Sequence, residues 1–97
     1  MKNENSFQSQ LIKELKERFP GCVVLKNDPD YMQGIPDLVI FYYSLWAALE
    51  CKKHSKASKR PNQEYWVNKL DDMGYARFIF PENKEQVLNE LEEYFTK

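Results

Sequence analysis

The sequence predicts a single α/β domain in which a central sheet is covered by helices on both faces. Three observations lead there. Segments with apolar residues at helical spacing alternate with apolar runs too short to be helices. Those runs are continuous rather than alternating, as in strands buried on both sides. The 97 residues, 42% hydrophobic and 30% charged, suit one core of globular composition, with no repeat, low-complexity tract or linker to divide a second domain.

The elements follow in order. From Asn5 to Arg18, Phe7, Leu11, Ile12, Leu15 and Phe19 recur at helical spacing, with Lys and Glu on the other face. Pro20-Gly21 stops this helix. Cys22 to Lys26 is short, apolar and rich in β-branched residues, which predicts a strand. Asn27 to Ile35 holds Asp, Asn, Pro and Gly without an apolar period and reads as a loop. Pro36 to Tyr42 reads as a buried strand, its Pro at the first position where a missing N–H is tolerated. Trp46 to Lys52 reads as the next strand, joined to the last by a tight connection around Tyr43-Ser44-Leu45. Lys53 to Arg60 is a basic loop. Pro61 opens a second helix, with Gln63, Trp66, Val67 and Leu70 on one face and Gly74 at its end. Tyr75 to Phe80 is a strand. Asn83 starts the last helix, with Gln86 three residues on as in a capping box, and Val87, Leu88, Leu91, Tyr94 and Phe95 as its apolar face. The order is α-β-β-β-α-β-α.

Composition narrows the function. No apolar run approaches the ~18 residues of a membrane helix, and MKNENSFQSQ contains no apolar signal region, so a cytoplasmic protein is expected. Two cysteines, Cys22 and Cys51, make no disulfide framework and are expected as buried thiols. The net charge is only −1, but it is segregated. Cys51 to Gln63 carries Lys52, Lys53, Lys56, Lys59, Arg60 and His54 and no acid, while the last sixteen residues carry five Glu against two Lys. A single histidine gives no zinc set. There is no Gly-rich phosphate loop, nucleophile elbow or Cys-His pair, so no organic cofactor is expected.

Strand alternation isolates one constellation. Trp46, Ala48, Glu50 and Lys52 point to one face, and Ala47, Leu49 and Cys51 to the other. If the hairpin turns at Tyr43-Ser44, Asp37 and Glu50 are equidistant from the turn and oppose each other, with Cβ atoms ~5 Å apart. Two converging carboxylates repel unless a cation lies between them. All-oxygen ligands suit a hard ion, Mg²⁺ or Mn²⁺, with the Cys51 carbonyl as a further donor. Such an ion acidifies its water and neutralises a phosphate, and Lys52 is placed to hold the attacking water or the developing charge. Alone, a Pro-Asp pair and a Glu-x-Lys triplet are common and mostly mark a strand start and a salt-bridged surface. On neighbouring strands beside a basic loop the combination is more specific, and a charged pair in an apolar strand is costly without a reason.

Gly34-Ile35-Pro36-Asp37-Leu38, then Leu49-Glu50-Cys51-Lys52, then Gln63 after a Lys-rich loop, resembles the PD-(D/E)XK nuclease superfamily, and within it the small stand-alone VRR-NUC type often carried by phages. The resemblance spans about Glu4 to Phe80. It implies a restriction-endonuclease-like core, a central mixed β-sheet flanked by helices. By position it makes Asp37 and Glu50 metal ligands, Lys52 the catalytic lysine and Gln63 the glutamine on the helix after the third strand. An ordinary capping-region polar residue is the other reading of Gln63. The acid on the first helix would be Glu4, with Glu14 as the alternative. The chain departs from the pattern at Tyr43-Ser44-Leu45, where many relatives have Gly.

Lys26, Lys53, His54, Lys56, Lys59 and Arg60 are candidate contacts to a nucleic-acid backbone, although a solvated loop explains each one singly. Tyr31 and Gln33 could approach a base or sugar, while Asp28 and Asp30 in the same loop oppose phosphate. The function expected is a Mg²⁺- or Mn²⁺-dependent endonuclease on DNA, structure-selective rather than sequence-specific, since no separate base-reading module is present. By analogy with the fold, a homodimer could cleave a four-way (Holliday) junction with two sites, in host cytoplasm if phage-encoded. The rivals are a non-catalytic nucleic-acid-binding domain of the same fold and an RNA-directed nuclease.

Overall fold

The computed structural model describes residues 4–96, Glu4 by its backbone alone. Its elements are α1 (Glu4–Arg18), β1 (Val23–Lys26), β2 (Leu38–Tyr42), β3 (Leu45–Cys51), α2 (Pro61–Met73), β4 (Ala76–Ile79) and α3 (Lys84–Phe95). The sheet runs β1-β2-β3-β4, antiparallel across the first two pairs and parallel across β3 and β4. The parallel pair needs a crossover, and α2 supplies it.

Alternation along the strands splits the core in two. Leu38, Ile40, Ala47, Leu49, Cys51 and Ile79 face α1 and α3, which contribute Leu11, Leu15, Leu88 and Leu91 among others, with Phe19 just past the end of α1. Ala48 and Ala76 face the other way, against Val67 of α2, with Val39, Trp46, Leu70 and Phe78 partly buried around them. Small alanines on this face let α2 lie close to the strands. The domain is thus a helix–sheet–helix sandwich, an α/β fold as expected. Among the described residues no helix is long and apolar enough to cross a membrane.

Tyr43 and Ser44 form the β2–β3 turn, with Tyr42 paired to Leu45. Tyr43 takes φ +57°, and Ser44 does not have positive φ, the sign pattern of a type II′ turn. A bulky residue seldom sits there. The Tyr43 ring packs against Tyr42 at 4.7 Å between centroids, a contact that glycine could not make.

Two local expectations are corrected. Asn83 occupies the N-cap position of α3 but makes no capping bond. Its amide instead accepts from Phe80 N–H and donates to the Phe78 carbonyl, satisfying the end of β4, and Gln86 bonds Glu90 rather than closing a capping box. Cys22 is only half-buried, because its N–H turns back to the Phe19 carbonyl and keeps it out of β1; Cys51 is fully buried as expected.

The loop between β1 and β2 is pinned at both ends. Asn27 N–H bonds the Asp37 carbonyl and its side-chain amide bonds the Pro36 carbonyl. At Gly34 φ is +86°, and a Cβ there would stand 2.8 Å from backbone atoms of Asn62 in the first turn of α2. Gly34→Ala should therefore lower stability by at least ~1–2 kcal/mol, the cost of a left-handed residue alone. The readout is a fall in the urea midpoint at unchanged slope, and an unchanged midpoint would contradict this packing.

Candidate active site

The site forms where β2 and β3 run out under the start of α2. Asp37 precedes the first residue of β2 as Glu50 follows Leu49, the partner of Leu38. It therefore continues the ladder toward Glu50 on the face that carries Val39 and Ala48. Pro36 has no N–H with which to extend that ladder. The Asp37 carboxylate replaces a backbone acceptor: its Oδ2 takes the Cys51 N–H at 2.9 Å. That bond ties the carboxylate to the backbone between Glu50 and Lys52.

Glu50 and Lys52 are the two buried charged residues among those described, 3% and 7% exposed. Burying charge demands compensation, and Gln63 provides much of it. Its Nε2 donates to Glu50 Oε2 at 3.1 Å, while its Oε1 accepts from Lys52 Nζ at 2.8 Å. Lys52 Nζ lies 3.9 Å from Glu50 Oε2. Gln63 Oε1 also accepts the Arg60 N–H at 3.1 Å, the helix-start half of a capping box. Gln63 thus caps the start of α2 and at the same time bonds both members of the charged pair. With donors on one side and a carboxylate on the other, the orientation of its amide is set by its partners. Gln63→Ala should lower stability by about 2 kcal/mol, since hydrogen bonds to charged groups are lost in a buried setting. Thermal and urea unfolding measure this; a change below about 0.5 kcal/mol would show that water replaces the amide.

The other expected site residues are placed as follows. Lys59 Nζ lies 4.9 Å over the ring of Phe78, which pairs with Glu50 across the β3–β4 ladder, so the basic loop folds back over the site. Arg60 is the N-cap residue of α2 and lines a small polar cleft with Gln63, Gln33 and Asp30. Lys53, His54 and Lys56 are exposed on the loop. Ser55 ties that loop down, donating its N–H and hydroxyl to Glu82. The Glu82 carboxyl is held below its usual range, first by its own N–H and then by Ser55 and the nearby His54.

Lys26 is not brought to this group. It pairs with Leu38, and paired residues share a face, so it projects on the α1–α3 side. Glu14 is engaged elsewhere, bonded to Lys84 at 2.8 Å between α1 and α3. Glu4 opens α1, and its side chain lies outside the described residues. Three residues that shape the site had no assigned role in the sequence reading. Asn27 and Gly34 fix the strand end that carries Asp37, and Phe78 seats Lys59. The pairing of a strand-end Asn with a Gly before Pro-Asp is the signal that could have pointed to the first two.

The donors suit a hard cation. Asp37 and Glu50 offer carboxylate oxygens, and the Cys51 backbone lies between Glu50 and Lys52. Among the described residues no group of three or more His, Cys, Asp or Glu side chains gathers to hold a metal. Two carboxylates match an ion that keeps most of its water, as Mg²⁺ does.

A mixed sheet between helices, with a Glu-x-Lys pair and an aspartate at the sheet end, places the chain among α/β folds. More particularly, the fold is that of VRR-NUC domains. A solved "VRR_NUC domain protein" superposes with a TM-score of 0.71 at 16% identity, covering 99% of this chain and 90% of its own. A second, a "VRR_NUC domain", superposes at 0.63 with 22% identity, covering 84% of this chain and 92% of its own. No family model and no curated protein matches the sequence.

Proposed function

We propose that the chain is a VRR-NUC-type endonuclease that hydrolyses phosphodiester bonds in DNA with a divalent metal. One observation carries this reading: the buried Glu50 and Lys52 are joined through the part-buried Gln63 at the end of β3, where Asp37 is bonded to the Cys51 N–H. A structural core gains little from a buried ion pair, which rarely outweighs its desolvation. A reaction centre that must place a cation beside a phosphate does gain from one.

Asp37, Glu50 and the Cys51 carbonyl are the groups that would hold Mg²⁺ or Mn²⁺. When bound, such an ion supplies positive charge for the phosphate and an acidified water. Lys52 keeps donors beyond the one given to Gln63, and these hold the attacking water or a phosphate oxygen. Gln63 fixes the ammonium by accepting from it. The attacking water gives a proton to solvent as its oxygen bonds to phosphorus, the ester P–O bond breaks, and the leaving oxygen takes a proton back from solvent. Lys53, Lys56, Lys59 and Arg60 attract the backbone without reading sequence. A homodimer would present two such sites, one for each strand of a branched substrate.

The test is cleavage of labelled single-stranded, duplex, flapped and four-way DNA, and matched RNA, with Mg²⁺, Mn²⁺ or EDTA. Cutting is expected with either metal, to be abolished by EDTA, and to favour branched or unpaired DNA. Binding without cutting under every metal would leave a non-catalytic binding domain, and preferential cutting of RNA would reassign the substrate. Sedimentation of the free protein reports whether it dimerises.

A further inference from the structure

We propose that the groove beside the site, between the 27–35 loop, the open half of the sheet and α2, receives an unstacked base of the DNA strand being cut. This inference rests on the nuclease reading and narrows its substrate to strands with an unpaired nucleotide near the cut.

The groove exists because α2 is too narrow to cover its face of the sheet. It packs on β3 and β4, leaving β1 and β2 open, where Val23, Leu25 and Phe41 are 52%, 49% and 42% exposed. By pairing, Val23 and Leu25 share this face with Phe41 and Val39. The result is a concavity of about 660 Å³, within the range of small-ligand sites. Its walls are apolar and aromatic, with Tyr31, Val39, Phe41, Trp46 and Leu70 among them. Tyr31, 84% exposed, stands at its loop side.

Position commits the groove to one occupant. Val39 and Ala48 line it, each two residues along its strand from Asp37 and Glu50 and on the same face, ~7 Å away. A strand whose phosphate meets Lys52 therefore has its neighbouring nucleotide over the groove. Charge then selects which part of the nucleotide enters. Asp28 lines the groove and Asp30 follows close by, with Asp30 N–H on Asp28 Oδ1. Carboxylates repel a phosphate but accept hydrogen bonds from base amino groups. Phosphates are left to the Lys59–Arg60 side and bases to the aromatic side. The loop is pre-set for this, since Asn27 and Gly34 hold both its ends. Aromatic stacking accepts any base, in keeping with a site that does not read sequence.

The experiment measures binding in EDTA, by anisotropy, to single-stranded DNA carrying one abasic nucleotide at successive positions. It is paired with metal-dependent cleavage of the same strands. Wild type is expected to lose about tenfold in affinity at one position, adjacent to the mapped cut. Tyr31→Ala, at an exposed side chain, should bind the intact strand about tenfold more weakly and no longer sense the abasic position. Phe41→Ala should act in the same direction. A flat abasic scan with cleavage intact overturns this inference alone. A base dependence in EDTA with no cleavage under any metal counts against hydrolysis alone, and no binding to any strand overturns both. If Tyr31→Ala or Phe41→Ala instead changes the sedimenting mass and leaves the base dependence intact, the groove is covered by a second copy and the inference fails.

Discussion

Lys52→Ala is expected to bind DNA and divalent metal much as wild type does and to cut at least about a hundredfold more slowly. Removing one preorganised donor from a transition state typically costs a factor of 10²–10³. Lys52 contributes little to substrate capture, because it is 7% exposed and the loop lysines are the accessible ones. The loss should therefore fall on turnover and not on binding. The variant also leaves Glu50, 3% exposed, with less compensation, so a lower melting temperature is expected. Lys52→Met keeps most of the apolar stem and separates the two effects. Single-turnover cleavage, anisotropy and thermal unfolding, run together, decide the matter. Turnover near wild type in a folded Lys52→Met would remove the lysine from the chemistry.

Asp37→Asn is the second large effect. Its side chain still has an oxygen to accept the Cys51 N–H, so the strand end should hold and stability should change by less than about 1 kcal/mol. The negative charge is gone, and with it half of the carboxylate pair that would hold the ion. Stabilisation of the fold by millimolar Mg²⁺ or Mn²⁺ should disappear, and cleavage should fall by at least about a hundredfold. Asp37→Ala should add a stability loss of about 1–3 kcal/mol by orphaning the Cys51 donor. A metal-induced thermal shift that survives Asp37→Asn would move the cation elsewhere. A fall in stability as large as that of Asp37→Ala would make the carboxylate structural first.

What was legible in the sequence came from short-range geometry. A period near 3.6 marked α1, α2 and α3, and continuous apolar runs marked the four strands. Pro36, Pro61 and Gly74 marked boundaries to within a residue or two. The placement of Asp37 relative to Glu50 was legible for the same reason. In an antiparallel hairpin the turn alone fixes which residues oppose, and only two residues separate β2 from β3. The sequence could not identify Tyr43-Ser44 as a good turn, because the positive φ falls on a tyrosine rather than on a glycine.

The rest belonged to contacts between distant segments. Lys26 looked close to the site along the chain, but the β1–β2 register, set across a loop pinned by Asn27 and Gly34, turned it to the other face. Glu14 found its partner seventy positions away in Lys84. Asn83 was drawn from its own helix to the end of β4. Gln63 could be read from sequence as a cap or as a site residue, and packing α2 over β3 lets it cap the helix while also bonding Glu50 and Lys52. By itself the sequence determined the element types and the β2–β3 register that sets the strand ends bearing Asp37 and Glu50 side by side, because period and turn length are properties of neighbours in the chain. Only the tertiary structure decided which helix covers which face, how wide a groove α2 leaves open, and which polar group satisfies which charge. Those depend on long loops closing, and local residue preferences do not dictate where a long loop ends.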